Sequence, residues 1–214
     1  MIDKSFVIVT GLPASGKTTL ARELAAHLDL PLIDKDVILE SLYDSLGVGD
    51  HAWRHRLSRA ADDVLLTLAA DAGRAVLVNW WHHDTAPGRL QQLDAHLVQV
   101  FCNCPTPLVA ERFRTRRRHP GHLDQDLTRE QIDERITAWA SRPGPLSLGG
   151  PVTTIDTSGP VDIGAVAGEI RLLLSAPAPP RPDVAVRSQS WAYNLTAPAR
   201  RSTARTARRR RCEQ

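Results

Sequence analysis

The stretch Gly11-Leu12-Pro13-Ala14-Ser15-Gly16-Lys17-Thr18 constrains this chain more than any other. It follows the apolar run Phe6-Val7-Ile8-Val9 and opens into a segment with Leu20, Leu24 and Leu28 on one helical face. Strand, glycine-bearing loop, helix is the setting in which G-x4-G-K-[ST] reads as a phosphate-binding (Walker A) loop. Glycine at 11 and 16 lets the backbone turn tightly around a polyphosphate, while loop N–H groups and the helix N-terminus supply partial positive charge. Lys17 is expected to reach the β- and γ-phosphates, and Thr18 to offer its hydroxyl to Mg2+. Pro13, Ala14, Ser15 and Thr19 complete the expected cradle for a nucleoside triphosphate. The bland alternative is an ordinary Gly-rich turn.

Beyond the loop, apolar runs and helical patterns alternate. A short second strand is predicted over Leu30–Ile33, ending at Asp34-Lys35-Asp36, and a helix over Val37–Leu46. Asp50 is placed to cap a long amphipathic helix that Gly73 stops near Ala72. Ala75–Val78 reads as a buried third strand with Trp80-Trp81-His82-His83-Asp84 at its end, and Pro87–Ala95 as a short helix. Leu97–Cys102 is the fourth strand, and Thr106 is expected to cap a helix with Pro107 in its first turn. His119-Pro120-Gly121-His122 interrupts that helix, and Thr128 with Gln131 makes a capping-box start to another ending near Ala140. Val152–Ile155 is the fifth strand and Val161–Leu174 the closing helix. This alternation predicts an α/β fold, a parallel sheet wrapped on both faces with ligands at the carboxyl ends of its strands.

The net charge of +3 misleads unless it is divided. Nine of the 27 basic residues but only two of the 24 acidic ones lie from Ala176 onward, so that stretch carries +7 and Met1–Ser175 carries −4. The predicted organisation is a 1–175 P-loop domain followed by a disordered Pro/Arg-rich tail, 176–214. Arg208–Arg211 could touch nucleic acid, anionic lipid or nothing, with compositional drift as the plainer account. No stretch approaches the ~20 apolar residues of a membrane span, and the N-terminus lacks a signal-peptide pattern, so the expected compartment is the cytoplasm with no membrane partner. Cys102, Cys104 and Cys212 form no disulfide framework and fit no zinc spacing.

Three features bear on the reaction. Asp34 and Asp36 close the second strand where an acceptor hydroxyl would meet a γ-phosphate; one can take or orient the proton and the other hold Mg2+. Helix capping is the competing role, which Asp36 could also play. Arg112 and Arg116, four apart after strand four, would share a helical face, one guanidinium on adenine and the other on the triphosphate. Arg114, Arg117 and Arg118 extend the positive field toward Pro120-Gly121, a hinge for a lid over about 116–128, although a solvated basic face is the alternative. Strand three ends in Asn79-Trp80 rather than Asp-Glu, which argues against a motor ATPase, and the Asn-Lys-x-Asp of G domains is missing.

On these residues the chain resembles the P-loop small-molecule kinases, a group that includes polynucleotide 5′-kinase, chloramphenicol phosphotransferase, the zeta toxins and the gluconate and shikimate kinases. The likeness covers roughly Ser5–Leu174 and rests on Gly11–Thr19 and Ile33-Asp34-Lys35-Asp36. It implies the three-layer P-loop fold with sheet order 2-3-1-4-5, ATP and Mg2+ as cofactors, and Asp36 at the general-base position. It also implies Arg112 and Arg116 as lid arginines and Thr157–Pro160 as the loop flanking adenine, with Thr157 and Pro160 in contact. Leu39 stands where polynucleotide kinases carry an arginine, a departure that bears on an anionic acceptor.

The expected activity is ATP-dependent phosphorylation of a hydroxyl on a small molecule, sugar-like or antibiotic-like, with Lys17, Asp36 and Arg116 as the catalytic set. Candidate walls for the acceptor are Asp34, Trp53, Arg54, Arg56, Trp80, Trp81, His82 and His83; one tryptophan could equally be core. His82-His83-Asp84 lacks a third metal ligand in register. The alternatives are a nucleic-acid 5′-hydroxyl kinase, opposed by the acidic domain, and a non-catalytic ATP-binding regulator acting through its basic tail.

Overall fold

Strand β1, Ser5–Gly11, is buried along almost its whole length and sits at the middle of everything else. In this computed structural model residues 4–141 and 144–177 are described. They belong to a compact unit within Met1–Pro182; the tail expected over 176–214 lies outside the described residues beyond Pro177. Helix α1, Lys17–Leu28, follows the phosphate loop, and β2, Leu32–Asp34, runs directly into α2, Lys35–Leu46. Helix α3, His51–Ala72, leads to β3, Arg74–Val78, then to the short α4, Ala86–Gln91, and β4, His96–Asn103. Helix α5, Thr106–Thr115, is separated from α6, Arg129–Ala140, by two single 3-10 turns. Strand β5, Val152–Asp156, and α7, Ile163–Ser175, close the domain.

The five strands are parallel in the order β2-β3-β1-β4-β5, as the family resemblance implies. Val7 of β1 faces Val76 on one side and Val98 on the other. Because successive side chains alternate across a strand, Phe6 and Ile8 enter one apolar layer with Leu65, Leu77 and Leu90. Val7 and Val9 enter the opposite layer with Leu20, Leu24, Val98 and Ile170. Burial on both faces is what a parallel sheet requires, and it explains the unbroken apolar runs in the sequence.

Local chemistry sets the boundaries. Asp50 caps α3 by accepting from Trp53 N at 2.8 Å, and Gly73 ends it at φ 68°. Thr128 and Gln131 form the expected capping box on α6. Two readings need correction. Strand β2 begins at Leu32 rather than Leu30, because Leu30 N closes the end of α1 by donating to Ala25 O, with Asp29 left-handed at φ 54°. Thr106 is the first residue of α5 rather than its cap; Pro105 occupies that position, and no side chain bonds there. Among the described residues no helix is long and apolar enough to cross a membrane, and Cys102 and Cys104 are buried free thiols. Cys212 lies outside the described residues.

Candidate active site

At the carboxyl ends of the strands lies a cleft of about 1190 Å3. Pro13, Ala14, Gly16, Lys17, Thr18 and Thr19 form one end of it. Gly11 and Ser15 support the loop from behind the cleft: Gly11 has φ 137°, and a Cβ there would lie 2.6 Å from Cys102 O. Ser15 is fully buried, and its Oγ has no hydrogen-bond partner. Lys17 Nζ folds back to donate to Leu12 O at 2.7 Å. Burial, opposed by Cys102 and Asp36 and reinforced by Arg116 and Arg118, brings the ammonium down from 10.5 to about 8. An incoming phosphate would relieve that burial cost by supplying opposite charge.

The two aspartates divide their labour. Asp34 Oδ1 accepts from Asp36 N at 2.9 Å, so Asp34 is the cap of α2. The capping role considered for Asp36 therefore falls to its neighbour, and the Asp36 carboxylate stays in the cleft. Burial pushes the Asp34 carboxyl up, and the nearby Thr18 hydroxyl offsets part of this. Those two oxygen donors suit Mg2+, which keeps several waters and takes few protein ligands besides phosphates. Partial burial also acts upward on Asp36, but Arg118, His122, Lys35 and Lys17 outweigh it and hold the carboxyl below its usual range.

The lid contributes what the sequence did not reveal. Helix α5 stops at Thr115, and Arg116 is already extended with ψ 144°, so Arg112 and Arg116 do not share a helical face. Arg112 donates to Thr157 O at 2.9 Å and Ser158 O at 3.1 Å, which ties α5 to the Thr157–Pro160 loop. Thr157 and Pro160 line the cleft with it. Arg116 lies over the Phe113 ring, 3.9 Å from its centroid, and pairs with Asp124 at 2.7 Å. Arg118 reaches across 82 residues to Asp36 Oδ2 at 2.5 Å, and its other nitrogen approaches Asp124. His122, only 3% exposed, meets Glu40 Oε1 at 2.9 Å, and burial with the Arg118 charge lowers its pKa against Asp36 and Glu40. His119 stacks on Tyr43 and meets Asp44 at 3.1 Å, so the lid segment docks on α2.

The opposite wall is aromatic. Trp80, 39% exposed, packs edge-on against Trp139 with centroids 5.0 Å apart and against His82 at 4.9 Å. Trp139 continues to Phe113 at 5.7 Å. Trp81 corrects the expectation of a tryptophan pair: it is buried in the core, and its indole donates to Val9 O at 3.0 Å. Arg54 and His82 line the cleft, whereas His83 lines a separate 340 Å3 cavity with Trp81 and Gly11. Arg56 rides over Trp53, whose indole donates to Gly47 O, and neither lines the cleft. Among the described residues no group of three or more His, Cys, Asp or Glu is arranged to hold a metal, His82-His83-Asp84 included.

A family model described as an AAA domain matches residues 6–143. A provisionally described kinase from Chloroflexus aurantiacus J-10-fl superimposes with a TM-score of 0.71 at 33% identity, covering 79% of this chain and 98% of that one. Shikimate kinase from Bacteroides thetaiotaomicron gives 0.54 at 19% identity over 80% and 99% of the two chains, a likeness of fold alone. Mouse adenylate kinase 8 is 29% identical over 117 residues, 50% of this chain; the match spans only 24% of that relative's length.

Proposed function

This chain belongs to the AAA-domain family and is a P-loop kinase; from that premise we propose that it transfers the γ-phosphate of ATP to a hydroxyl of a small ring-bearing acceptor. What supports this most directly is that Lys17 and Asp36 line the same cleft, each within the other's field, with the Trp80–Trp139 wall alongside. Lys17 leaves Leu12 O for the phosphates, and the loop N–H groups hold the rest of the chain of phosphates. Thr18 and Asp34 are the residues that would hold Mg2+, which neutralises charge on the transferring group. Asp36, kept ionised at neutral pH, accepts the hydrogen bond of the acceptor hydroxyl and aims its oxygen at the γ-phosphorus. The acceptor O–P bond forms as the bond to the bridging oxygen of ADP breaks, and the hydroxyl proton passes to Asp36. Lys17 and Arg116 balance charge on the transferred group. The kinase domain is 1–175, with 116–128 as its lid; any nucleic-acid contact is confined to the basic tail.

The test incubates the protein with ATP, Mg2+ and a panel of cyclic alcohols, with mass spectrometry for a gain of one phosphoryl group. Phosphorylated product that disappears with Asp36→Asn is expected. Product formed at the parental rate by that variant would remove Asp36 from the mechanism.

A further inference from the structure

The wall of the cleft beside Asp36 collects cations that phosphoryl transfer to a neutral alcohol does not use. Lys35, 9% exposed, lines the cleft floor, and its one hydrogen bond among the described residues goes to Ser58 Oγ at 2.6 Å. An ammonium carries three donors, so two remain without a protein acceptor among the described residues, on a cleft-lining side chain. Arg54, one α3 turn before Ser58, lines the same wall, and its Nε is buried with no partner. The Tyr43 hydroxyl, behind them and in the field of Arg54 and Arg118, is also buried without one. Burial lowers the Lys35 pKa, and Arg54 and Arg118 add to this; Asp62 and Asp36 oppose it. Asp62 already accepts from Asn79 Nδ2, and Asp36 from Arg118.

Buried donors left unpaired cost stability in any fold, and buried cations cost more. Two cations with unpaired donors, Lys35 and Arg54, line one wall of the cleft beside the residue that aims the acceptor, and together they call for an anion. Resting on the reading of this cleft as a kinase site, we propose that the acceptor carries an anionic substituent, a carboxylate or phosphomonoester, bound between Lys35 and Arg54 while its hydroxyl faces Asp36.

Inorganic phosphate is the probe. The full-length protein is first saturated with Mg2+ and a non-hydrolysable ATP analogue, so that the phosphate loop is occupied, and phosphate is then titrated by calorimetry. Binding that weakens tenfold or more in Lys35→Met and in Arg54→Gln, but not in Arg59→Gln on the same helix, is expected. Both Lys35→Met and Arg54→Gln are checked by thermal melts, since Lys35 is a buried cation and Arg54 a half-buried one whose loss should leave the fold intact. The kinetic arm compares D-glucuronate with D-glucuronamide and D-glucose 6-phosphate with D-glucose, which separates carboxylate from phosphomonoester. Preference for either anion over its neutral partner, lost in Lys35→Met through KM, supports the site. Phosphate that fails to bind or binds all variants alike, or an anionic alcohol whose kcat/KM is unchanged in Lys35→Met, overturns it. Phosphate binding that depends on Lys35 with no transfer to any alcohol leaves the anion site standing and removes the kinase reading instead.

Discussion

Replacing Lys17 by Met should make the empty protein more stable while abolishing its chemistry. The fall of the ammonium from 10.5 to about 8 corresponds to roughly 3 kcal/mol, at 1.36 kcal/mol per pH unit, for holding the charged side chain where it is 8% exposed. Methionine removes that cost and fills much of the volume, but it orphans Leu12 O, which now accepts from Nζ and is worth ~1 kcal/mol. The net gain is about 2 kcal/mol at pH 7, or about 4–8 °C in Tm for a chain of this size. The direction with pH follows from a depressed folded value: the folded chain gives up the proton earlier than the unfolded one. The wild-type deficit is therefore complete below about pH 8 and vanishes as pH climbs toward 10.5. Urea unfolding of both proteins at pH 7 and pH 10 reads this out. A variant no more stable than its parent at pH 7, or a gap that ignores pH, would refute the account of Lys17 as a strained, poised cation.

Other outcomes follow from the same geometry. Asp36→Asn should lower phosphoryl transfer by about 10^2–10^4-fold, with nucleotide affinity measured by calorimetry nearly unchanged. Nucleotide binding should draw a proton onto Lys17 between about pH 8 and 10, and weaken as pH rises through that window; binding heats compared across buffers of different ionisation enthalpy measure the uptake. Trp80→Ala should raise the acceptor KM without unfolding the chain, whereas Trp81→Ala, which empties a core position, should cost about 3–5 kcal/mol in urea unfolding. Gly121→Ala would put a Cβ 2.4 Å from the Tyr43 ring, so the lid should undock from α2 and transfer should slow, with amide exchange showing 116–128 exposed.

What could be read from the sequence was what neighbours in the chain decide among themselves. The phosphate loop, the Asp50 cap, the Thr128–Gln131 box and the sheet strands are local patterns of a few residues, and the structure places them within a residue or two. The division between Asp34 and Asp36 was not legible, because either spacing offers an oxygen to the first turn of α2 and only the backbone dihedrals choose. Nor was the fate of Trp80 and Trp81 legible: adjacent residues at a strand end point opposite ways, and the sheet's register decides which is inside. The site's least visible members, Arg118, His122, Lys35 and Trp139, owe their places to partners 23 to 82 residues away. No periodicity encodes such meetings. Arg118 sat in plain view within an arginine cluster, indistinguishable there from a solvated basic face.

The contact between Arg118 and Asp36 has a consequence for timing. On the transfer proposed above, the guanidinium that rests on the Asp36 carboxylate would meet a dianionic ester beside it after transfer, a stronger electrostatic partner. Departure of the product would then mean prising it from Arg118, and the slow moment of each cycle would be expected after the bond has been made, which a burst of product in the first turnover would reveal.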